Sequence, residues 1–276
     1  MKLDMGRAWN DATALLAANR QVVAVVAGVF FFLPYLALVL LAPDISAEMQ
    51  GSGGGEPDPE QMMAMLSGFY AEYWWAMLLL VLLQGIGMMS LLALLTDRSR
   101  PTVAEALKAG ATFLLPYIGA QLLTVAIYTL ALGVPIGIAS ASGVALLIGL
   151  VFIAAFIGFL YLFTKFSLVP PVIAIERVMN PVRALGRSWQ LTRGNSVRLF
   201  FFYALIFLCL LVIALVLTIV TGLVFALMGE EVALIGNGLV AAFVNMAWIV
   251  LFLAVLAAIH RQLSGGSPEA IGETFE

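Results

Sequence analysis

Apolar residues along this chain come in six long runs, at about 21–42, 73–95, 113–134, 143–163, 199–228 and 237–259. Each run is long enough to cross a hydrocarbon layer about 30 Å thick as a helix rising about 1.5 Å per residue. The runs are continuous and do not alternate with polar positions. They therefore predict helices, since barrel strands would show a polar face at every second residue. The fifth run is the longest, which predicts a tilted helix or an added interfacial turn.

The polar positions between the runs divide by sign. All 13 basic residues fall before the first run, between the second and third, between the fourth and fifth, or after the sixth. The other connections carry Asp44, Glu48, Glu56, Asp58, Glu60, Glu72, Glu230 and Glu231 and no basic residue. Positive charge is retained on the cytoplasmic side, so both termini are expected there. An even number of spans is needed to keep that partition, which supports the count of six.

Composition narrows the class further. Of 276 residues, 63% are hydrophobic and 11% charged, against about 25% charged in an ordinary soluble domain. These proportions exclude a soluble enzyme, a disordered chain and a nucleic-acid module. The net charge of −3 offers no basic field for nucleic acid. The single cysteine, Cys209, lies in an apolar run and is expected to pack there as an inert thiol. The N-terminal region is interrupted by Asp4, Asp11 and Arg20 and does not read as a standard signal peptide.

The connections carry local signals. Residues 43–70 form the one long outer loop, with a GSGGG stretch followed by Glu56, Asp58, Glu60, Met62, Met63 and Met65. It reads as a flexible, solvated acidic loop leading into an interfacial helix. A cation site there would need a shaped set of oxygens that the glycines do not provide. On the basic side, Asn180-Pro181 opens a helix that Gly194-Asn195 ends. Val182, Leu185 and Trp189 share one face of it, and Arg183 and Arg187 another. Thr102 to Glu105 is a capping box expected to open a short helix ending near Gly110. Met5, Trp9, Ala12 and Leu16 form a stripe near the N-terminus, with Arg7, Asp11 and Arg20 on other faces. Such basic amphipathic helices lie at the headgroup boundary. They serve as structural feet, as contacts for lipid phosphate, or as both. The candidate contact set is Arg183, Arg187, Trp189, Arg193 and Arg198.

The three basic-side helices each precede an outward span, which suggests an approximate three-unit repeat of interfacial helix plus hairpin. Gly6-Arg7-Ala8-Trp9 resembles Gly186-Arg187-Ser188-Trp189, and Phe32-Leu33-Pro34-Tyr35 resembles Leu114-Leu115-Pro116-Tyr117. Pro34 and Pro116 are expected to kink their spans. The fold class expected is thus an all-α integral membrane protein with six transmembrane helices and cytoplasmic interfacial helices. The membrane domain covers 1–263 and a cytoplasmic tail 264–276.

No ionisable residue falls at the middle of any span, which argues against ion coupling. Gln84, Gln121 and Asn245 are the neutral polar groups near mid-depth, expected in hydrogen bonds between helices or around an uncharged solute. Ala154 and Gly158 would permit close helix contact in the fourth span. His260 ends the last run with no acid or nucleophile near it in sequence. No cluster of His, Cys, Asp and Glu has the spacing of a metal site. No catalytic residue, metal or cofactor is expected.

The stretch Val169-Pro170-Pro171-Val172-Ile173-Ala174-Ile175-Glu176, followed by Asn180 through Asn195 (NPVRALGRSWQLTRGN), resembles the membrane domain of bacterial glycerophosphoryl diester phosphodiesterases. It is also similar to related six-span inner-membrane proteins. In the two-part relatives this domain is joined to a soluble barrel that holds the hydrolytic carboxylates, histidines and metal. The resemblance implies a stand-alone membrane domain in the bacterial inner membrane. It carries over no catalytic residue, because the barrel is absent from this sequence. The expected function is a non-enzymatic protein contacting anionic phospholipid or a protein partner, without nucleic acid. A carrier or channel for an uncharged or amphipathic solute is one alternative. A membrane subunit of a phosphodiesterase with a separate catalytic chain is another. Oligomeric state stays open.

Overall fold

The computed structural model describes residues 2–41, 59–96 and 102–265. The described residues are helical almost throughout and contain no strand. Nine helices are numbered in chain order. They are α1 (Met5–Ala18), α2 (20–41), α3 (Pro59–Thr96), α4 (Val103–Ala141), α5 (Ala145–Phe166), α6 (Val169–Ile175), α7 (Pro181–Thr192), α8 (Ser196–Ala226) and α9 (Glu230–Leu263). Six of them, α2, α3, α4, α5 running into α6, α8 and α9, contain stretches long and apolar enough to cross a membrane. The chain is a multi-pass membrane protein. Most of the acidic loop, the residues at 97–101 and the tail after 265 lie outside the described residues.

Several helices run well past their apolar stretches. The clearest case is α4. Thr102 caps it as the sequence suggests, with its hydroxyl accepting from Glu105 N and its own N–H donating to Glu105 Oε2 at 2.8 Å. The expected stop at Gly110 is absent, and the helix continues unbroken to Tyr128. Gly110 serves contact instead of termination. A Cβ built on it would meet Ser90 Oγ and lie 2.6 Å from the Ile86 carbonyl oxygen of α3. The small residue is what allows α3 and α4 to touch backbone to backbone.

Two of the helices contain a wide π turn, and each turn precedes a proline. Residues Gly28–Phe32 widen α2 before Pro34, and Thr129–Gly133 widen α4 before Pro135. A proline removes one N–H from the helical ladder, and an i→i+5 turn lets neighbouring groups re-pair around the gap. Pro116, expected to distort its span, lies inside regular helix.

Packing is concentrated at one end of the bundle, here called the base. Buried side chains occupy Met89 to Leu95 of α3, Leu199 to Ile206 of α8, Leu253 to His260 of α9, and nearly all of α6. Beyond residue 206 no residue of α8 is buried, and between 145 and 163 of α5 only Ala155 is. Leu146, Phe156 and Ile213 are more than half exposed there. In water such a surface would aggregate; against lipid tails it has no cost to avoid. Cys209 belongs to this surface and is exposed, contrary to the expected packing: α9 lines one side of the far half of α8, with the Phe225 ring against Gly236, and leaves its other faces bare.

The turn from α6 to α7 contains one departure from ordinary geometry. Arg177 has φ +56°, in the left-handed region, while Gly194 after α7 reaches +81° without a Cβ penalty. The left-handed conformation costs a non-glycine residue about 1–2 kcal/mol, part of which glycine loses again through unfolded-state freedom. Arg177→Gly is therefore expected to stabilise the protein by about 0.5 kcal/mol. Thermal melting in detergent checks this, and a lowered midpoint would contradict it.

Candidate functional site

The base carries a layer of polar contacts that ties distant parts of the chain together. At its centre is Glu176, the C-cap of α6. Its carboxylate accepts from Arg187 Nε of α7 at 2.9 and 3.2 Å, and pairs with His260 Nε2 of α9 at 3.0 Å. His260 is 3% exposed, whereas Arg187 is 40% exposed. The carboxylate can only accept, so the imidazole proton sits on Nε2. Burial pushes the Glu176 carboxyl up, but the hydrogen bonds and charges of Arg187 and His260 outweigh it and hold the group below its ordinary range. One acid thus joins three helices.

A second set of contacts docks the N-terminal segment. Leu3 N donates to Asn195 Oδ1 at 2.9 Å, and Arg198 Nη1 reaches the Leu3 carbonyl at 3.4 Å. Asp4 N donates to Gln262 Oε1, and Gln262 Nε2 donates back to the Asp4 carbonyl. Asp4 also caps α1 through Arg7 N. Arg261 pairs with Asp11 at 2.7 Å. These bonds fix α1 across the end of α9 and the loop before α8.

The third feature is Lys165, in the last turn of α5. Its side chain is 3% exposed. Nζ lies 5.1 Å from the Trp189 ring centroid and 5.5 Å from that of Tyr161. Trp189 in turn packs on Tyr161 and Phe166 with centroids 5.8 Å apart in each case. The Lys165 backbone carbonyl accepts from Ser188 Oγ at 2.7 Å, which joins α5 to α7. No carboxylate pairs with Lys165 among the described residues, and the charge of Arg193, of the same sign, acts on it.

The residues singled out from sequence are distributed unevenly over this layer. Asn180 caps α7 through Arg183 N at 3.1 Å. The buried face of α7 is Ala184, Leu185, Ser188, Leu191 and Thr192. Val182, expected on the apolar face with Leu185 and Trp189, is two-thirds exposed. Arg183 and Arg193 are exposed and form no ion pair among the described residues. Arg187 is committed to Glu176, Arg198 touches the Leu3 carbonyl, and Trp189 covers Lys165.

The three mid-depth polar residues do not hydrogen-bond one another. Gln121 is exposed and donates to Tyr117 OH on its own helix at 3.0 Å. Gln84 is half-buried on α3. Asn245 has a buried Nδ2 without a hydrogen-bond partner. A cavity of about 340 Å³ lies at the elbow between α1 and α2, lined by Ala17 to Val22 and Leu94. None of the three lines it.

Sequence reasoning missed Glu176, Lys165, Asn195 and Gln262 as site residues and found no partner for His260. The partner lies 84 positions away, so no local spacing reveals it. The signal that does exist is weak: a lone acid at the end of a Pro-Pro helix, followed by basic residues. Chemically the layer offers a held histidine–carboxylate pair and unpaired cations beside aromatic rings. Among the described residues no three His, Cys, Asp or Glu gather where they could hold a metal ion. No protein-family model, no curated protein and no solved structure matches this chain.

Proposed function

We propose that this chain is a non-enzymatic protein of the bacterial inner membrane, with its base in the cytoplasm, where it contacts anionic phospholipid through basic base helices. A single observation carries the reading. All 13 basic residues belong to the segments expected on one side, and in their densest stretch Arg183 and Arg193 are exposed and have no ion-pair partner among the described residues. Cations left unpaired at the rim of an apolar bundle meet lipid phosphates at the headgroup level. α1 and α7 then act as feet, each leading into an outward helix, which also accommodates the approximate repeat. The resemblance to the phosphodiesterase membrane domain fits a membrane module without catalytic parts.

Each basic residue near an anionic leaflet contributes about 1 kcal/mol. Arg183→Ala/Arg193→Ala is expected to weaken anionic-lipid binding by about 30-fold. The measurement is lipid retention on the purified protein by native mass spectrometry, against phosphatidylcholine as the neutral control. Unchanged retention of anionic lipid in the double variant would remove this reading.

A further inference from the structure

We propose that Lys165, covered by Trp189 and Tyr161, is the seat for the phosphate of one tightly held anionic phospholipid. The inference rests on the headgroup-level placement of the base proposed above, and goes beyond it by naming one site among many surface cations.

The argument starts from charge balance. A lysine this deeply covered normally has a carboxylate partner, because a desolvated ammonium is costly alone. The acid at the centre of the layer, Glu176, already serves Arg187 and His260. The two ring faces compensate part of the charge, through the attraction of a cation to an aromatic quadrupole. Arg193 adds a second positive charge in place of neutralising the first. A covered ammonium with no carboxylate partner among the described residues, on an apolar wall, is a site that an anion completes.

The surroundings select the kind of anion. Stepping back along α5 by helical turns from Lys165 come Tyr161, Ile157, Ile153 and Leu150, and each of these is about half exposed or more. They make an apolar stripe directly behind the ammonium. A cation at the head of such a stripe matches a molecule with a phosphate at one end and an acyl chain running beside the helix. Free phosphate would use only the cations and leave the stripe unused. Trp189 and Tyr161 sit at the junction, where amphipathic rings are favoured.

The test uses the full-length chain in detergent, stripped of lipid and titrated with phosphatidylglycerol, phosphatidylcholine or inorganic phosphate under native mass spectrometry. Wild-type protein is expected to retain one phosphatidylglycerol at least tenfold more tightly than any phosphatidylcholine, with no competition from inorganic phosphate at equal concentration. Lys165→Met, which keeps the buried stem, is expected to lose that one lipid, and Lys165→Arg to keep it. Retention of the tight lipid by Lys165→Met overturns the site. Competition by inorganic phosphate overturns the lipid as its occupant. Should Lys165→Met fail to fold, the wild-type protein still decides the matter. With only Lys2, Lys108 and Lys165 to assign, lysine ¹⁵N labelling and solid-state NMR should show one Nζ close to lipid phosphorus, absent in Lys165→Arg at the lysine frequency. No such contact refutes the proposal. Loss of binding in Arg183→Ala/Arg193→Ala with no effect of Lys165→Met leaves the general lipid reading standing and removes only this site.

Discussion

Glu176→Ala is expected to lower the thermal midpoint in detergent by about 5–10 °C, corresponding to about 2–4 kcal/mol. The loss has two parts. His260 is almost fully covered, and its Nε2 proton would face no acceptor once the carboxylate is gone. Arg187 would also be released, and with it the tie between α6 and α7. Arg187 is partly exposed and can find water, so its share is the smaller. Glu176→Gln keeps the shape and one acceptor oxygen and should fall about midway.

The pH dependence follows from the direction of the Glu176 shift. Its folded-state value lies below the ordinary 4.5. A depressed carboxylate contributes stability that is complete above the unfolded value and is lost as pH falls through the folded one. The difference between wild type and Glu176→Gln should therefore be full at neutral pH and shrink as the pH drops below 4.5. Melting curves across that range check it. A Glu176→Ala midpoint within a degree of wild type at pH 7 would show that the carboxylate does not hold the base together.

Gly110→Ala carries the second large effect, with an expected loss of about 2–3 kcal/mol. The added methyl would meet Ser90 Oγ, the Ser90 amide nitrogen at 3.0 Å and the Ile86 carbonyl oxygen at 2.6 Å. A side chain can swing away, but the carbonyl cannot, so α3 and α4 must separate. That separation also loosens Gly85 from Leu114, whose Cδ1 lies where a further Cβ would be 2.7 Å away. Ser90→Ala in the Gly110→Ala background removes the hydroxyl but leaves both backbone obstacles, and should restore only part of the stability. Full restoration would show that the backbone contact is unimportant. Expression level and melting midpoint of the single and double variants, against wild type, report the outcome.

The six spanning helices were legible because hydrocarbon imposes a continuous apolar run, and no other part of this sequence has one. Cap residues were legible for a similar local reason: Thr102 with Glu105, and Asn180 with Arg183, lie within one turn of each other. Gly110 was misread as a stop because a helix end and a close helix contact both favour glycine. The difference depends on α3, which local sequence does not contain. The polar layer was less legible still. Arg187 reads as a lipid-facing cation by its spacing, yet an acid eleven residues earlier takes it. His260 reads as unpartnered because its acid belongs to another helix. Lys165 lies just past the fourth apolar run, and nothing near it in sequence shows that Trp189 is folded over it.

The uneven packing of the bundle has a mechanical side. The base is stitched by ion pairs, capped termini and a buried helix, whereas the far half of α8 has no buried residue and rests one side against α9. From Ile206 to Ala226 this limb extends about 30 Å at 1.5 Å per residue. Each degree of rotation at its foot moves its tip by about 0.5 Å over that length. A change of a few degrees among the contacts around Tyr203 and Ser167, which meet at 2.9 Å near the foot, is thus magnified into a displacement as wide as a methylene group. The bundle is built as a set of long levers on a short, rigid fulcrum.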